Sequence, residues 1–278
     1  MTRVLVTGAA GQLGSTIVRR FSNTFDVTGL TRAELDLADA KAVLGAVEHH
    51  HPDVVINCAA YNDVEGAEDA AFAALTGNSL AVQALARATQ ATGALFIHYG
   101  TDFVFDGETD RPYRETDACR PLSTYGMSKL LGEWFALESP GAYVLRVESL
   151  FGGQPAKSSI DKILKAIEAN QPVRVFSDRS VTPSYVDDVA VATERLLAIR
   201  PEPGVYHCVN SGVTTWLGIA QEIAGRMGRD AELVPVKSTE VKLKARRPVY
   251  CALSNDKLMA AGILMPTWQQ AVAKYIAR

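Results

Sequence analysis

The sequence predicts an α/β protein built on a doubly wound parallel sheet, and three observations carry that prediction. Short β-branched runs alternate with longer amphipathic stretches through the first half, the runs are nearly continuous in apolar residues, and no internal repeat or low-complexity segment interrupts them. A strand that is apolar on both faces needs a helical layer on each side, which is the parallel-sheet solution. With 278 residues, 47% of them hydrophobic and 21% charged, the chain can bury a core of that size.

In order, "RVLVTG" opens as a strand and Gln12–Phe21 follows as a helix. "DVTGL" precedes a helix over Ala40–Glu48, "DVVINCAA" an Ala-rich helix over Ala67–Thr92, and "ALFIHYG" a helix over Tyr125–Leu137, before "AYVLRV" ends the run. After Phe151 the pattern loosens into a helix at Ile160–Ala169, a strand "VRVFS", a helix at Asp187–Ile199, a strand "GVYHCV", and helices at Leu217–Met227 and Trp268–Ile276. Residues 1–150 are expected to form the sheet domain and 151–278 mainly a smaller α/β substrate lobe, some of whose segments can return to the sheet. No Pro/Gly/Ser-rich linker divides them.

A net charge of −3, with both signs interspersed, gives no polyanion footprint, so small molecules are better partners than nucleic acid or an anionic membrane. No apolar run approaches the roughly 18 to 20 residues of a membrane span. Cys58, Cys119, Cys208 and Cys251 lie far apart without a C-x-x-C pair, and "MTRVLVTG" is already strand-like, which predicts reduced thiols in the cytoplasm. His49 to His51 sit at the end of a helical pattern, before Pro52 and away from any Cys or carboxylate set, and are expected to be a solvated helix end.

The stretch "VLVTGAAGQLG", Val4 to Gly14, runs a strand into a glycine loop that opens a helix. Beyond the carboxyl end of the first strand of such a sheet, glycines let a pyrophosphate approach the backbone and the helix N-terminus, the Rossmann-type arrangement. Gly8 is assigned the tight turn, Gly11 the close approach and Gly14 the packing of helix on strand. The spacing is G-x-x-G-x-x-G, a variant of the dinucleotide fingerprint.

Tyr125 and Lys129 lie one helical turn apart, so both side chains leave one face of a helix. An adjacent ammonium lowers a phenol's pKa by favouring the phenolate, and Lys129 can also donate hydrogen bonds to a ribose. Thr101 ends the fourth strand, where its hydroxyl can donate to a bound carbonyl while Tyr125 supplies the proton.

Taken together and in order, T-G-x-x-G-x-x-G, "NCAAY", Thr101 and Tyr125-x-x-x-Lys129 resemble the extended short-chain dehydrogenase/reductases, and within them the dTDP-4-dehydrorhamnose reductase family. The likeness extends over "GAAGQLG", "AELDL", "NCAAYNDVEGAE", "GTDFVFDG", "RPYRETDACRPLSTYGMSKLLGE", "TPSYVDDVA" and "ARRPVYCALSNDKL". The resemblance implies an oxidoreductase that moves hydride from NADPH or NADH to the C4 carbonyl of a nucleotide-linked 4-keto-6-deoxysugar, with Tyr125 as acid and Thr101 orienting the oxygen. It places Gly11, Gln12 and Leu13 at the pyrophosphate, Asp36 and Leu37 by the adenine, Ala59, Ala60 and Tyr61 along the cofactor, and Thr101, Asp102 and Phe103 at the sugar. Two alternatives stay open: a non-catalytic nucleotide-binding regulatory subunit of the same fold, and a nucleotide-sugar epimerase or dehydratase.

The chain departs from the family pattern in two places. Where these reductases commonly read Arg-Thr-Ser-Trp after the fifth strand, this chain reads Arg146-Val147-Glu148-Ser149, so Ser149 is expected to reshape the sugar site in place of an aromatic platform. Some members bind magnesium at a dimer interface through a glutamate that is Thr16 here; a homodimer is compatible with the resemblance, but no metal is expected. After the second strand, Thr31 and Arg32 stand where an NAD-selective domain places a carboxylate, which favours NADPH over NADH. Asn78 could anchor a backbone group or water behind the site; Arg146 suits a strand-end salt bridge; Arg246 and Arg247 suit a diphosphate; Asp187 and Asp188 suit a helix cap.

Overall fold

The computed structural model describes residues 1–277. The first half follows the expected alternation: β1 (Arg3–Thr7), α1 (Gln12–Phe21), β2 (Asp26–Leu30), α2 (Ala40–His50), β3 (Val54–Asn57), α3 (Ala71–Leu75), α4 (Ala81–Thr92), β4 (Leu95–Thr101), α5 (Thr124–Leu137) and β5 (Tyr143–Val147). The second half contributes β6 (Leu150–Phe151), α6 (Ser159–Glu168), β7 (Val173–Phe176), β8 (Ser180–Val181), β9 (Ser184–Tyr185), α7 (Val186–Ile199), β10 (Gly204–His207), β11 (Thr214–Thr215), α8 (Trp216–Arg226), β12 (Leu233–Val236), α9 (Asp256–Ala260) and α10 (Trp268–Ile276).

Six strands form one parallel sheet in the order β10-β5-β4-β3-β1-β2. The chain leaves β1 toward β2 and returns to β3 on its other side, so the order reverses between β1 and β3, where ligands bind in such sheets. Strand residues alternate between two buried layers. Val4, Val6, Ile56 and Leu145 pack with Leu13 and Ile17 of α1 and Val186 and Val189 of α7. Leu5, Val55, Phe96 and Val144 pack with Val43 and Val47 of α2, Leu85 of α4 and Ala136 of α5. Burying each Val, Leu or Ile contributes roughly 1.5 to 3 kcal/mol, which is why runs apolar on both faces require both layers.

The expected helix over Ala67–Thr92 is broken in two places. A 3₁₀ turn at Gly66–Glu68 precedes α3, and Thr76–Leu80 forms a π-helical turn between α3 and α4. The turn brings Asn78 inward, where its amide holds the backbone of Tyr61 and so diverts the regular ladder.

Although β10 and α7 follow residue 150, β10 pairs with β5 and α7 covers α1. The remaining segments build a smaller core from Ile160, Ile163 and Ile167 of α6, Val173 and Val175 of β7, Ile219 and Ile223 of α8, and Trp268 and Val272 of α10. A capping box of Ser158 and Asp161 starts α6. The lobe is tied to the sheet at the glycine turn: Gln12 Nε2 donates to the Gly152 carbonyl (2.5 Å) and Ser15 Oγ to that of Gln154 (3.0 Å). His49 and His50 end α2, and His51 closes it in a left-handed conformation (φ 44°).

Candidate active site

Gly8 turns the chain out of β1 with φ +69°, and a Cβ there would stand 2.6 Å from the Ala59 nitrogen, so β1 and the segment after β3 meet only because the side chain is missing. That segment is fixed from below. Thr7 donates to Asn57 Oδ1 (2.7 Å), which also accepts the Ala59 N–H (3.0 Å), while Asn57 Nδ2 meets His98 Nδ1 (3.1 Å). Gly11 caps α1 without a side-chain hydrogen bond, and no acidic residue occupies the first turn, so the helix N-terminus is left for an anion. This cradle fits a pyrophosphate.

On α5, Tyr125, Lys129 and Glu133 follow at intervals of four and face β4. Ser123 caps the helix by accepting the Gly126 N–H (3.1 Å). Gly132 lets α5 lie against the π-helical turn, since a Cβ would collide with the Asn78 carbonyl. Asn78 accepts the Tyr61 N–H (2.8 Å), donates to the Tyr61 carbonyl (3.0 Å) and donates to Ser128 Oγ (3.0 Å), so it anchors backbone behind the site. Lys129 Nζ donates to the Tyr99 carbonyl (2.6 Å). Burial pulls its pKa down to about 8, opposed by the charges of Glu133 and Cys58.

Thr101 Oγ1 donates to Asp102 Oδ1 (3.1 Å) and accepts the Phe103 N–H (3.3 Å). Burial raises Asp102 to about 6 against the Thr101 hydrogen bond and the Arg179 charge. The Tyr125 phenol, packed edge-on to Phe103, is pushed above the ordinary tyrosine value, first by burial and then by Asp102, with a Thr101 hydrogen bond opposing. The expected lowering by Lys129 is therefore overcome here: the phenol is too dry, and the ammonium is turned to Tyr99.

These groups open onto a cleft of about 770 Å³ at the reversal of strand order. Gly11, Gln12, Leu13, Ala59, Ala60, Thr101, Asp102, Phe103, Tyr125, Lys129 and Ser149 all line it. Gly8 and Gly14 are packed against backbone instead, and Tyr61 stands behind, held by Asn78. Thr31, Arg32, Asp36 and Leu37 lie beyond the β2 end, outside the cleft lining. There Thr31 gives both its N–H and its hydroxyl to Glu34 Oε2 (2.8 Å each), so the hydroxyl assigned to the cofactor is engaged by a carboxylate. Asp36 accepts the Ala38 N–H, and Leu37 is partly buried against the core.

Of the two arginines assigned to a diphosphate, Arg247 lines the cleft, paired with Glu65 (2.7 Å), whereas Arg246 is exposed outside it. Arg146 points inward to Glu133 (2.8 Å), Cys119 and His207. Asp187 and Asp188 do not cap α7, whose first turn they occupy; they pair with Arg19 and Lys274. Thr16 is buried and returns its hydroxyl to the Gln12 carbonyl. Ser149 adopts a left-handed conformation (φ 46°). The smaller lobe also brings in side chains that no local spacing signalled, among them Lys157, Arg179, Trp216 and Cys251. Trp216 thus gives the cleft an aromatic wall from α8 although position 149 has none.

Residues 1–278 match the RmlD substrate binding domain. The chain belongs to this family. The dTDP-4-dehydrorhamnose reductase of Burkholderia thailandensis is 35% identical to it over 288 residues, covering 97% of this chain and 96% of that one. The spore coat polysaccharide biosynthesis protein SpsK of Bacillus subtilis is 34% identical over 278 residues, covering 99% and 97%. Among solved structures, the dTDP-4-dehydrorhamnose reductase of Bacillus anthracis in complex with NADP matches with a TM-score of 0.95 at 28% identity, covering 100% of this chain and 99% of that one. The doubly wound α/β class and the family expected from the motifs are thus both borne out. Among the described residues, no helix is long and apolar enough to cross a membrane.

Proposed function

We propose that this member of the RmlD substrate binding domain family reduces the 4-keto group of a nucleotide-linked 6-deoxysugar, with Thr101, Tyr125 and Lys129 as its catalytic residues. The observation that carries this reading is their convergence with the uncapped N-terminus of α1 on one cleft at the strand-order reversal. A nicotinamide cofactor, when bound, supplies hydride to the carbonyl carbon; Gly11, Gln12, Leu13, Ala59 and Ala60 would hold it. Tyr125 donates its proton to the carbonyl oxygen. A phenol kept protonated by burial is in the form this direction requires. Lys129 has two N–H groups beyond the one given to Tyr99, enough to bind a ribose and to stabilise the phenolate as it forms. Thr101 has one proton, given in this structure to Asp102; it orients the substrate oxygen by turning away or when Asp102 is itself protonated.

NADPH is the preferred cofactor in this reading and NADH is tolerated, because Arg32, exposed just past β2, is free to pair with a 2′-phosphate. A cytoplasmic location suits the four free thiols. A homodimer is supported by Phe72, Met127 and Trp134, large apolar side chains left exposed on α3 and α5.

The deciding experiment offers purified protein and NADPH a panel of nucleotide-linked 4-keto-6-deoxysugars. Stoichiometric NADPH consumption supports the ketoreductase; turnover with the cofactor unconsumed supports the epimerase or dehydratase. Tyr125→Phe is expected to lower kcat by about two to four powers of ten, the usual contribution of a general acid, with cofactor affinity retained. Near-normal turnover in that variant removes the proposed acid.

A further inference from the structure

The turn after β5 carries Glu148, which is 2% exposed and uses its two carboxyl oxygens unequally. Oε2 accepts both the N–H (2.7 Å) and the hydroxyl of Thr182, while Oε1 has no partner among the described residues. A carboxyl kept only to tie down Thr182 would not need a second buried oxygen left unpaired. Oxygens of Glu148 and Asp102 and the sulfur of Cys251 lie within 4.8 Å of one another, and Arg179, 6% exposed with its Nε unpartnered, stands beside them. All four side chains line the cleft.

Two buried carboxyls this close do not both ionise. The groups acting on them are Arg179, which favours their charged forms, and Cys251, Tyr125 and Tyr250, whose own titrations their charge disfavours. Burial, and then Asp102, hold Glu148 well above the ordinary carboxylate value, whereas Asp102 is raised only to about 6. Two carboxyls so placed share one proton, and the carboxylate that remains balances Arg179. Such a pair presents a donor and an acceptor side by side, which is what a sugar hydroxyl, itself donor and acceptor, can satisfy.

We propose that Glu148 is a substrate-binding residue that, through its partner-free Oε1 and together with Asp102 and Arg179, selects sugars carrying a free hydroxyl on the ring carbon next to the reacting carbonyl. The location follows from Asp102: it adjoins Thr101, so the pair faces the ring beside the carbon that Thr101 addresses. This rests on the ketoreductase reading above and adds to it the substituent that the departure from the family pattern at position 148 recognises.

The test compares a nucleotide-linked 4-keto-6-deoxysugar bearing the 3-hydroxyl with its 3-deoxy counterpart, reading kcat/KM with NADPH and, separately, Kd by calorimetry with oxidised cofactor present. Glu148→Met is expected to weaken the hydroxylated sugar about ten- to a hundredfold, chiefly through KM and Kd, and the deoxy sugar less than about threefold. Glu148→Gln, which still offers donor and acceptor, restores most of the preference. Thr182→Val, which loosens the same turn without touching Oε1, leaves the preference as in the wild type. Equal losses on both sugars in Glu148→Met, or a Thr182→Val variant that reproduces its selectivity change, overturns the proposal. A wild type that consumes no NADPH with either sugar defeats the ketoreductase reading instead, and the Kd ratio still decides the role of Glu148.

Discussion

Glu133→Gln is expected to separate what the buried Glu133–Arg146 pair does for stability from what it does for chemistry. Glu133 and Arg146 side chains are 1% and 4% exposed, and the guanidinium gives the carboxylate three hydrogen bonds, at 3.2, 3.1 and 2.8 Å. Removing the negative charge leaves Arg146 with only Cys119, His207 and the face of Phe105, 5.1 Å away, for compensation. An uncompensated buried charge costs about 3 to 5 kcal/mol, which lowers Tm by roughly 10 °C in a chain of this size. The same carboxylate opposes the effect of burial on Lys129, which stands at about 8 with it in place. Across one helical turn, at about 6 Å and an effective dielectric near 20, a unit charge contributes about 2 to 3 kcal/mol. Without it Lys129 loses its proton near pH 6. Wild-type kcat/KM should fall as the pH rises through about 8, and the variant's should fall already through about 6. Glu133→Gln combined with Arg146→Met removes the orphaned cation, so it should recover most of the stability while the pH profile stays displaced. Melting curves and pH profiles of the single and double variants decide the matter. A descending limb that stays near pH 8 in Glu133→Gln refutes the coupling of Lys129 to Glu133, whatever happens to Tm.

Arg32→Ala should reduce the NADPH-to-NADH ratio of kcat/KM about ten- to a hundredfold, the range of a charge-assisted contact. Glu34→Gln should raise that ratio, because Thr31 holds the Glu34 carboxylate ionised two residues from Arg32, the proposed partner of a 2′-phosphate; a wild type that prefers NADH sinks both expectations. Asn78→Ala strips three hydrogen bonds from the Tyr61 segment and Ser128, and should cost about 2 to 4 kcal/mol while weakening cofactor binding, measured as Kd, more than kcat. His207 is held neutral by burial, its pKa lowered to about 3, so the unfolded chain takes up a proton that the folded one refuses. Stability should decline by up to about 4 kcal/mol as the pH falls from about 6.5 to 3, and urea midpoints that stay flat across that window in wild type, or slope equally in His207→Gln, rule this out.

The parts of the site legible in the sequence are those built within one element or one turn. The glycine loop announces itself because a strand, a turn and a helix N-terminus are contiguous, and Tyr125 and Lys129 because helical spacing alone puts them on one face. Glu133 continues that face and was open to the same argument. The rest was hidden for identifiable reasons. Asn78 reads as a polar position in an apolar helix until Tyr61, 17 residues earlier, is seen to need both of its amide atoms. Arg246 and Arg247 are indistinguishable as neighbours in a basic run, and only the fold turns one toward the cleft and the other to solvent. Glu148 could be noticed as a departure from a pattern, but its partners Arg179 and Cys251 lie in loop positions flanking a two-residue strand and an isolated bridge, which carry no period.

The two halves of the cleft divide the work along these lines. Thr101, Tyr125 and Lys129 stand on β4 and α5, braced by Glu133, Arg146 and the π-helical turn, and none of these supports comes from the lobe. Arg179, Trp216, Arg247 and Cys251 are supplied by segments after residue 151; of these, Arg179 and Cys251 bear on Asp102, whose charge is offset by Arg179 and whose carboxyl receives the Thr101 hydrogen bond. In the proposed reading, a substitution among the lobe residues can therefore change which sugar is held, and through Asp102 how freely Thr101 turns, without disturbing Tyr125, the proposed acid, or Lys129 beside it. Conversely, a change that disturbs α5 should lower turnover on every sugar alike. Asp102 is the one residue whose replacement must register in both columns, because it belongs to the proton-sharing pair on one side and claims the Thr101 hydroxyl on the other.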